Sequence, residues 1–168
     1  HHVVPLNRRG YGRIIGDSIE GAYRFYRALM NAHPLRVAGR SFEVIPLTRP
    51  DINIVDYAYH EIGNNSLEAM NRLNEAIFEQ CSYKSGPLYR NSFITSKTSL
   101  TSEEYGDTPR AFTARFGIPE SEWERLQSVY VLRSCILTPY LMSHTTFEVY
   151  WENFMQAMEH AIGRIYGQ

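Results

Sequence analysis

The sequence predicts an α+β domain: two layers, with a mainly antiparallel sheet of three to four strands and helices on one face. Three observations carry this. Segments with apolar residues at helical spacing alternate with runs rich in β-branched and aromatic residues. Two of those runs, "SFEVIPLT" and "DINIVDYAYH", are separated only by Arg49-Pro50, which suits neighbouring antiparallel strands. The 168 residues, 43% hydrophobic and 21% charged, suffice for one folded domain with a core of its own.

The first helix is expected from about Asp17, with Glu20 placed for a capping box and Ile15, Ile19, Ala22, Phe25 or Tyr26, and Leu29 on the buried stripe. His33-Pro34 ends it. Residues 35–62 read as extended. A second helix follows Asn64-Asn65, with Leu67, Met70, Leu73, Ile77, Phe78 and Cys81 on one face, and "KSGP" breaks it. "SFITSKTSL" reads as a strand, and short helices are expected at "TPRAFTARFG" and "PESEWERL". "VYVLRSCILTPY" is the strongest strand, closed by Pro139. Its apolarity on both faces calls for a covering surface, and a missing partner is one source of it. The last helix is expected from Thr145, with Glu148 completing a capping box. Phe147, Trp151, Phe154, Met158, Ile162 and Ile165 line its buried face.

Several function classes are disfavoured by composition and spacing. A formal charge of -1 argues against an electrostatic grip on nucleic acid. No apolar run reaches membrane-spanning length. Cys81 and Cys135 form no metal spacing, and such sparse cysteine usage suits a reducing cytoplasm. The six histidines give no metal motif, and a lone histidine such as His60 reads as a surface or satisfied core residue. "GYGRIIG" nearly matches a dinucleotide loop through Gly10, Gly12 and Gly16, but no acid follows about 20 residues later to hold a ribose. Lys97 in "ITSKTS" is flanked by small hydroxyls, as in some aldimine loops, yet no partner for a pyridine ring can be read from spacing.

The remaining constellation is Arg133 with Cys135. On a strand they share a face. An arginine in so apolar a strand needs an anion. That anion is either an internal Asp or Glu, or a ligand carboxylate, which matches the guanidinium fork.

Four segments in order, "HHVVPLNRRGYGRIIGDSIEGAYRFY", "PDINIVDYAYHEIGN", "FITSKTS" and "VLRSCILTPY", resemble the C-terminal part of bacterial pyridoxal-phosphate-dependent (group II) amino acid decarboxylases, and within them the tyrosine decarboxylases. The resemblance implies a fold-type-I enzyme whose large cofactor-binding domain is absent from this chain. Residues 1–34 would be the interdomain segment and linking helix, and 35–168 the small domain. The aldimine lysine, the ring-stacking residue and the acid at the pyridine nitrogen would all lie in the large domain. No catalytic, cofactor-binding or metal-ligating residue is then expected in this chain, and no cofactor on it alone. By position, Arg133 resembles an arginine near the substrate carboxylate or pocket mouth. Cys135 falls where the small domain closes on the substrate side chain, and Thr95 and Ser96 resemble a loop near the entrance. The implied reaction converts an aromatic L-amino acid, tyrosine first, to its amine and CO2, with pyridoxal phosphate as electron sink. The implied partners are the large domain, a second copy in a homodimer and the substrate, with no nucleic acid or membrane. The alternative is a stand-alone, non-catalytic interaction module that binds a protein through its sheet.

Overall fold

A computed structural model describes residues 4–82, 86 and 93–167. The order of elements is α1 (Tyr11–Met30), β1 (Leu35–Val37), β2 (Arg40–Pro46), β3 (Ile54–Glu61), α2 (Leu67–Gln80), β4 (Ser96–Thr101), α3 (Ser102–Tyr105), α4 (Thr108–Ala114), α5 (Glu120–Leu126), β5 (Ser128–Cys135), a 3-10 turn (Pro139–Met142) and α6 (His144–Tyr166). One antiparallel sheet runs β1-β2-β3-β5-β4. The α+β class and the pairing of β2 with β3 match the sequence expectation. The sheet has five strands rather than three to four, because the three-residue β1 is too short to leave a pattern. Most of the "KSGP" break lies outside the described residues.

Alternation along the strands gives the sheet two distinct faces. Phe42, Val55, Tyr57, Tyr59, Tyr130 and Leu132 point to the first, where α1, α6 and the C-terminal half of α2 pack through Phe25, Phe154, Met158 and Ile77. Ala58, Leu100, Val129 and Val131 point to the second, covered by Phe112, Phe116, Ile118 and Trp123 of the α4–α5 region. The helices therefore do not lie on one face alone. The two-sided apolarity of β5 is satisfied at Val129 and Val131 from within the chain, so those positions need no missing partner. Only the end of β5 departs: Arg133 is half-buried and Cys135 exposed.

The sheet also splits. β3 and β5 pair only from Ile54↔Cys135 to Tyr57↔Leu132. Past that point two asparagines of α2 take the place of the ladder. Tyr59 N donates to Asn74 Oδ1 at 2.8 Å, and Asn74 Nδ2 donates to Tyr59 O at 2.8 Å. Tyr130 N donates to Asn71 Oδ1 at 2.8 Å, and Asn71 Nδ2 donates to Ser128 O at 3.0 Å. Buried backbone groups need partners, and these amides supply both donor and acceptor. Leu67 and Met70, one turn earlier, reach the second-face cluster through the gap.

Helix starts differ from the sequence expectation. α1 begins at Tyr11, not near Asp17, so Gly12 and Gly16 lie inside it. The turn before it sets this start: Asn7 Oδ1 accepts from the amides of Arg9 and Gly10, both at 3.0 Å. A Cβ on Gly10 would collide with the Pro5 carbonyl, so this position needs glycine for close approach. Asp17 makes no capping box and pairs instead with Arg13 at 3.5 Å. α6 begins at His144 rather than Thr145, and Glu148 bonds His144 Nδ1 at 3.1 Å instead of a backbone amide.

Candidate functional site

The open end of the sheet, where β3 begins and β5 ends, holds the sequence-predicted residues. Asp56 of β3 and Arg133 of β5 are register partners on the second face. Arg133 Nε donates to Asp56 Oδ1 at 3.1 Å, and the side chains keep 36% and 23% of their exposure. Asp56 is the internal anion that the sequence left open, and it is the only hydrogen-bonding partner of the Arg133 side chain among the described residues. The Nη atoms of the guanidinium are not used by it.

Thr95 and Ser96 are tied to the same residue from the other side. Ser96 is the register partner of Arg133 on the edge strand β4. Thr95 Oγ1 donates to Arg133 O at 2.9 Å, and Ser96 Oγ donates to the same carbonyl at 3.2 Å. Thr95 is buried and Ser96 exposed. The two hydroxyls thus hold the backbone of Arg133.

Cys135, two residues on, lies beside a cleft of about 280 Å³ lined by Phe93, Ile94, Ser134, Cys135, Ile136, Leu137, Thr138, Leu141 and Tyr150. Ser134 of its lining shares a buried hydrogen bond of 3.0 Å through Oγ with Tyr57 Oη. Burial pushes the Tyr57 and Tyr150 phenols well above their ordinary range, so both are neutral donors or acceptors. The cleft is anchored from α1: Arg24 Nη1 donates to the carbonyls of Leu141 and Met142 at 3.0 and 2.7 Å. Gly21 allows this approach, since a Cβ there would sit 3.2 Å from Leu141 Cβ. Around the rim Ile94, Leu137 and Tyr140 are exposed, Leu137 by 76%. Tyr11, Ile14 and Ile15 are likewise exposed on the first turns of α1.

The structure therefore places Arg133, Thr95, Ser96 and Cys135 at one end of the sheet, with the side chains of the Arg133–Asp56 pair on the second face and the cleft on the first. Asp56, Tyr57 and Ser134 join them and were not singled out from sequence. Asp56 had a signal: it is an acid inside the apolar run Ile54–Tyr59, as Arg133 is a base inside another.

Lys97 lies on the opposite face from Arg133. Its ammonium is 3.6 Å from Glu75 Oε1 and 4.6 Å from the Tyr130 ring centroid. A charge-paired lysine against two aromatic rings does not fit an aldimine site. His60 is a satisfied core residue: Nε2 donates to Asn64 O at 2.6 Å and Nδ1 faces Glu43 Oε1 at 3.2 Å. No cluster of three or more His, Cys, Asp or Glu suited to a metal occurs among the described residues. No described helix is long and apolar enough to cross a membrane.

A family model described as tyrosine decarboxylase, C-terminal, matches residues 21–162. An L-tyrosine decarboxylase of Enterococcus faecalis is 42% identical over 166 residues, 99% of this chain and 27% of that protein. One of Levilactobacillus brevis is 41% identical over 166 residues, 99% of this chain and 26% of that protein. One of Enterococcus faecium is 42% identical over 165 residues, 98% of this chain and 27% of that protein. The chain thus spans about a quarter of the length of the curated relatives it matches.

Proposed function

The chain belongs to the tyrosine decarboxylase C-terminal family, and from that premise we propose that it is the small domain of an enzyme that converts tyrosine to its amine and CO2. The complete enzyme acts with pyridoxal phosphate, held by a large domain outside this chain, and works in the cytoplasm as a homodimer. The observation that carries this reading is identity of 41–42% across 98–99% of the chain to three L-tyrosine decarboxylases. Residues 1–34 serve as the interdomain segment and linking helix, and 35–168 as the small domain.

The geometry supports a role in closing the substrate pocket. Exposed Ile94, Leu137 and Tyr140, with Tyr11, Ile14 and Ile15 on α1, form apolar surface that a large domain would cover. Cys135 and the cleft beside it supply a pocket wall that excludes water from an aromatic side chain. Arg133 supplies the cation that orients the substrate carboxylate, and Thr95 and Ser96 fix its backbone. Binding and orientation by this domain lower the barrier to a reaction whose chemistry lies elsewhere.

The test is an amine-release assay on the complete enzyme and on this chain alone. The complete enzyme is expected to turn tyrosine into tyramine, and the isolated chain to produce none. Amine from the isolated chain, lost on Lys97→Ala, would overturn the assignment of the chemistry to the large domain. No tyramine from the complete enzyme, with turnover of another amino acid, would overturn the substrate.

A further inference from the structure

We propose that Asp56 is a positioning residue for the substrate carboxylate: by holding Nε of Arg133, it aims the terminal edge of the guanidinium at that carboxylate. The proposal rests on the reading of Arg133 given above. Its ground is the shape of the pair. A guanidinium offers two useful edges to a carboxylate, one with Nε and one Nη, the other with both Nη atoms. A closed internal ion pair would use one edge fully. Here only Nε is engaged, with Asp56 Oδ1 at 3.1 Å, and the two Nη atoms have no hydrogen-bond partner among the described residues. The pair is also held from below on both strands. Asp56 O accepts from Leu47 N at 2.8 Å, and Arg133 O accepts from Thr95 Oγ1 at 2.9 Å. Both backbones are thus fixed, and the Nε bond is what defines the plane of the guanidinium.

The location agrees. The apolar cover of α4 and α5 ends at Val131, and the pair stands between that cover and exposed Cys135 beside the cleft. A guanidinium held at Nε alone keeps both Nη donors for a ligand carboxylate. An unanchored arginine would instead lose side-chain freedom on each binding event, which weakens binding.

The experiment uses the complete enzyme with Asp56→Ala, Asp56→Asn, Arg133→Gln and the double variant Asp56→Ala/Arg133→Gln. Readouts are KM and kcat for tyrosine, thermal midpoint, and inhibition by 3-(4-hydroxyphenyl)propanoate, which has the carboxylate but no amine, and by tyramine, which has the amine but no carboxylate. Asp56→Ala is expected to raise KM and the inhibition constant of the acid by about tenfold, with that of tyramine unchanged. Asp56→Asn, whose amide oxygen still accepts from Nε, is expected to restore most of the affinity. The double variant should be no worse than Arg133→Gln. If Arg133→Gln weakens the acid and Asp56→Ala does not, or tightens it, the positioning role is overturned and the arginine reading stands. If Arg133→Gln leaves the acid untouched, the arginine reading itself fails. A fall in thermal midpoint with equal weakening of acid and tyramine assigns Asp56 a structural role only and overturns the proposal.

Discussion

Cys81 and Cys135 have the same chemistry in opposite settings. Cys81 is buried in the first-face core, and burial pushes its thiol up to about 11, while Cys135 stands exposed beside the cleft. Thiolate is the reactive form, so a disulfide reagent added to the isolated chain is expected to label Cys135 fast and Cys81 only on unfolding. The same shift has a sign for stability. A thiol whose pKa is higher folded than unfolded favours the fold while protonated, so its contribution is intact below the unfolded value and lost as pH rises through about 11. Urea midpoints should fall above pH 9, and Cys81→Ala should flatten the first part of that fall, before the buried tyrosines contribute. Cys135→Ser and Cys135→Ala in the complete enzyme are expected to change the ratio of kcat/KM for tyrosine over dopa severalfold, because the wall of the cleft changes size and polarity. Equal ratios in all three would remove Cys135 from the pocket. That Arg133 meets an internal acid was one of the two alternatives legible in the sequence, because one charge in an apolar strand is conspicuous, and strand alternation places Cys135 on its face. Tyr57 and Ser134 were not legible, since a tyrosine and a serine in strands carry no sign of meeting until the register sets them 3.0 Å apart.

α2 is held by more than its apolar stripe. Asn74 makes three hydrogen bonds of 2.8 Å, to Tyr59 N, Tyr59 O and Met70 O, from a fully buried position. Asn74→Leu keeps the volume but leaves the amide and carbonyl of Tyr59 without partners, at a cost of about 2–4 kcal/mol. Asn71→Leu is expected to cost less, since Asn71 is only half-buried, and urea denaturation of both variants checks the order. The stripe Leu67, Met70, Leu73, Ile77 was plain in the sequence, because periodicity reports burial. The two asparagines were silent, because a polar residue on a helix ordinarily faces water. α1 shows the reverse failure. Its first turns bury nothing: Ile15, counted on the apolar stripe, is exposed, and the helix is set going by Asn7 and the turn it closes.

At the level of the whole molecule, the α+β class, the three main helices and the β2–β3 neighbourhood followed from local pattern, while the four-residue α3 did not. The cover on the second face did not. α4 and α5 have seven residues each, and two or three apolar side chains per helix are too few to announce which surface they meet. The placement of β5 between β3 and β4 was equally hidden, because it joins segments some 80 residues apart, a choice made by packing rather than by local preference. The split between β3 and β5 divides the sheet into two leaves, β1-β2-β3 and β5-β4, joined by four register pairs at the cleft end and elsewhere by the side chains of α2. The amides of Tyr59 and Tyr130 should therefore exchange with solvent at the pace of α2 and not of their own strands. During refolding the first leaf can zip as a local meander, whereas the second gains its neighbour only when α2 docks, so the region that borders the cleft is assembled last.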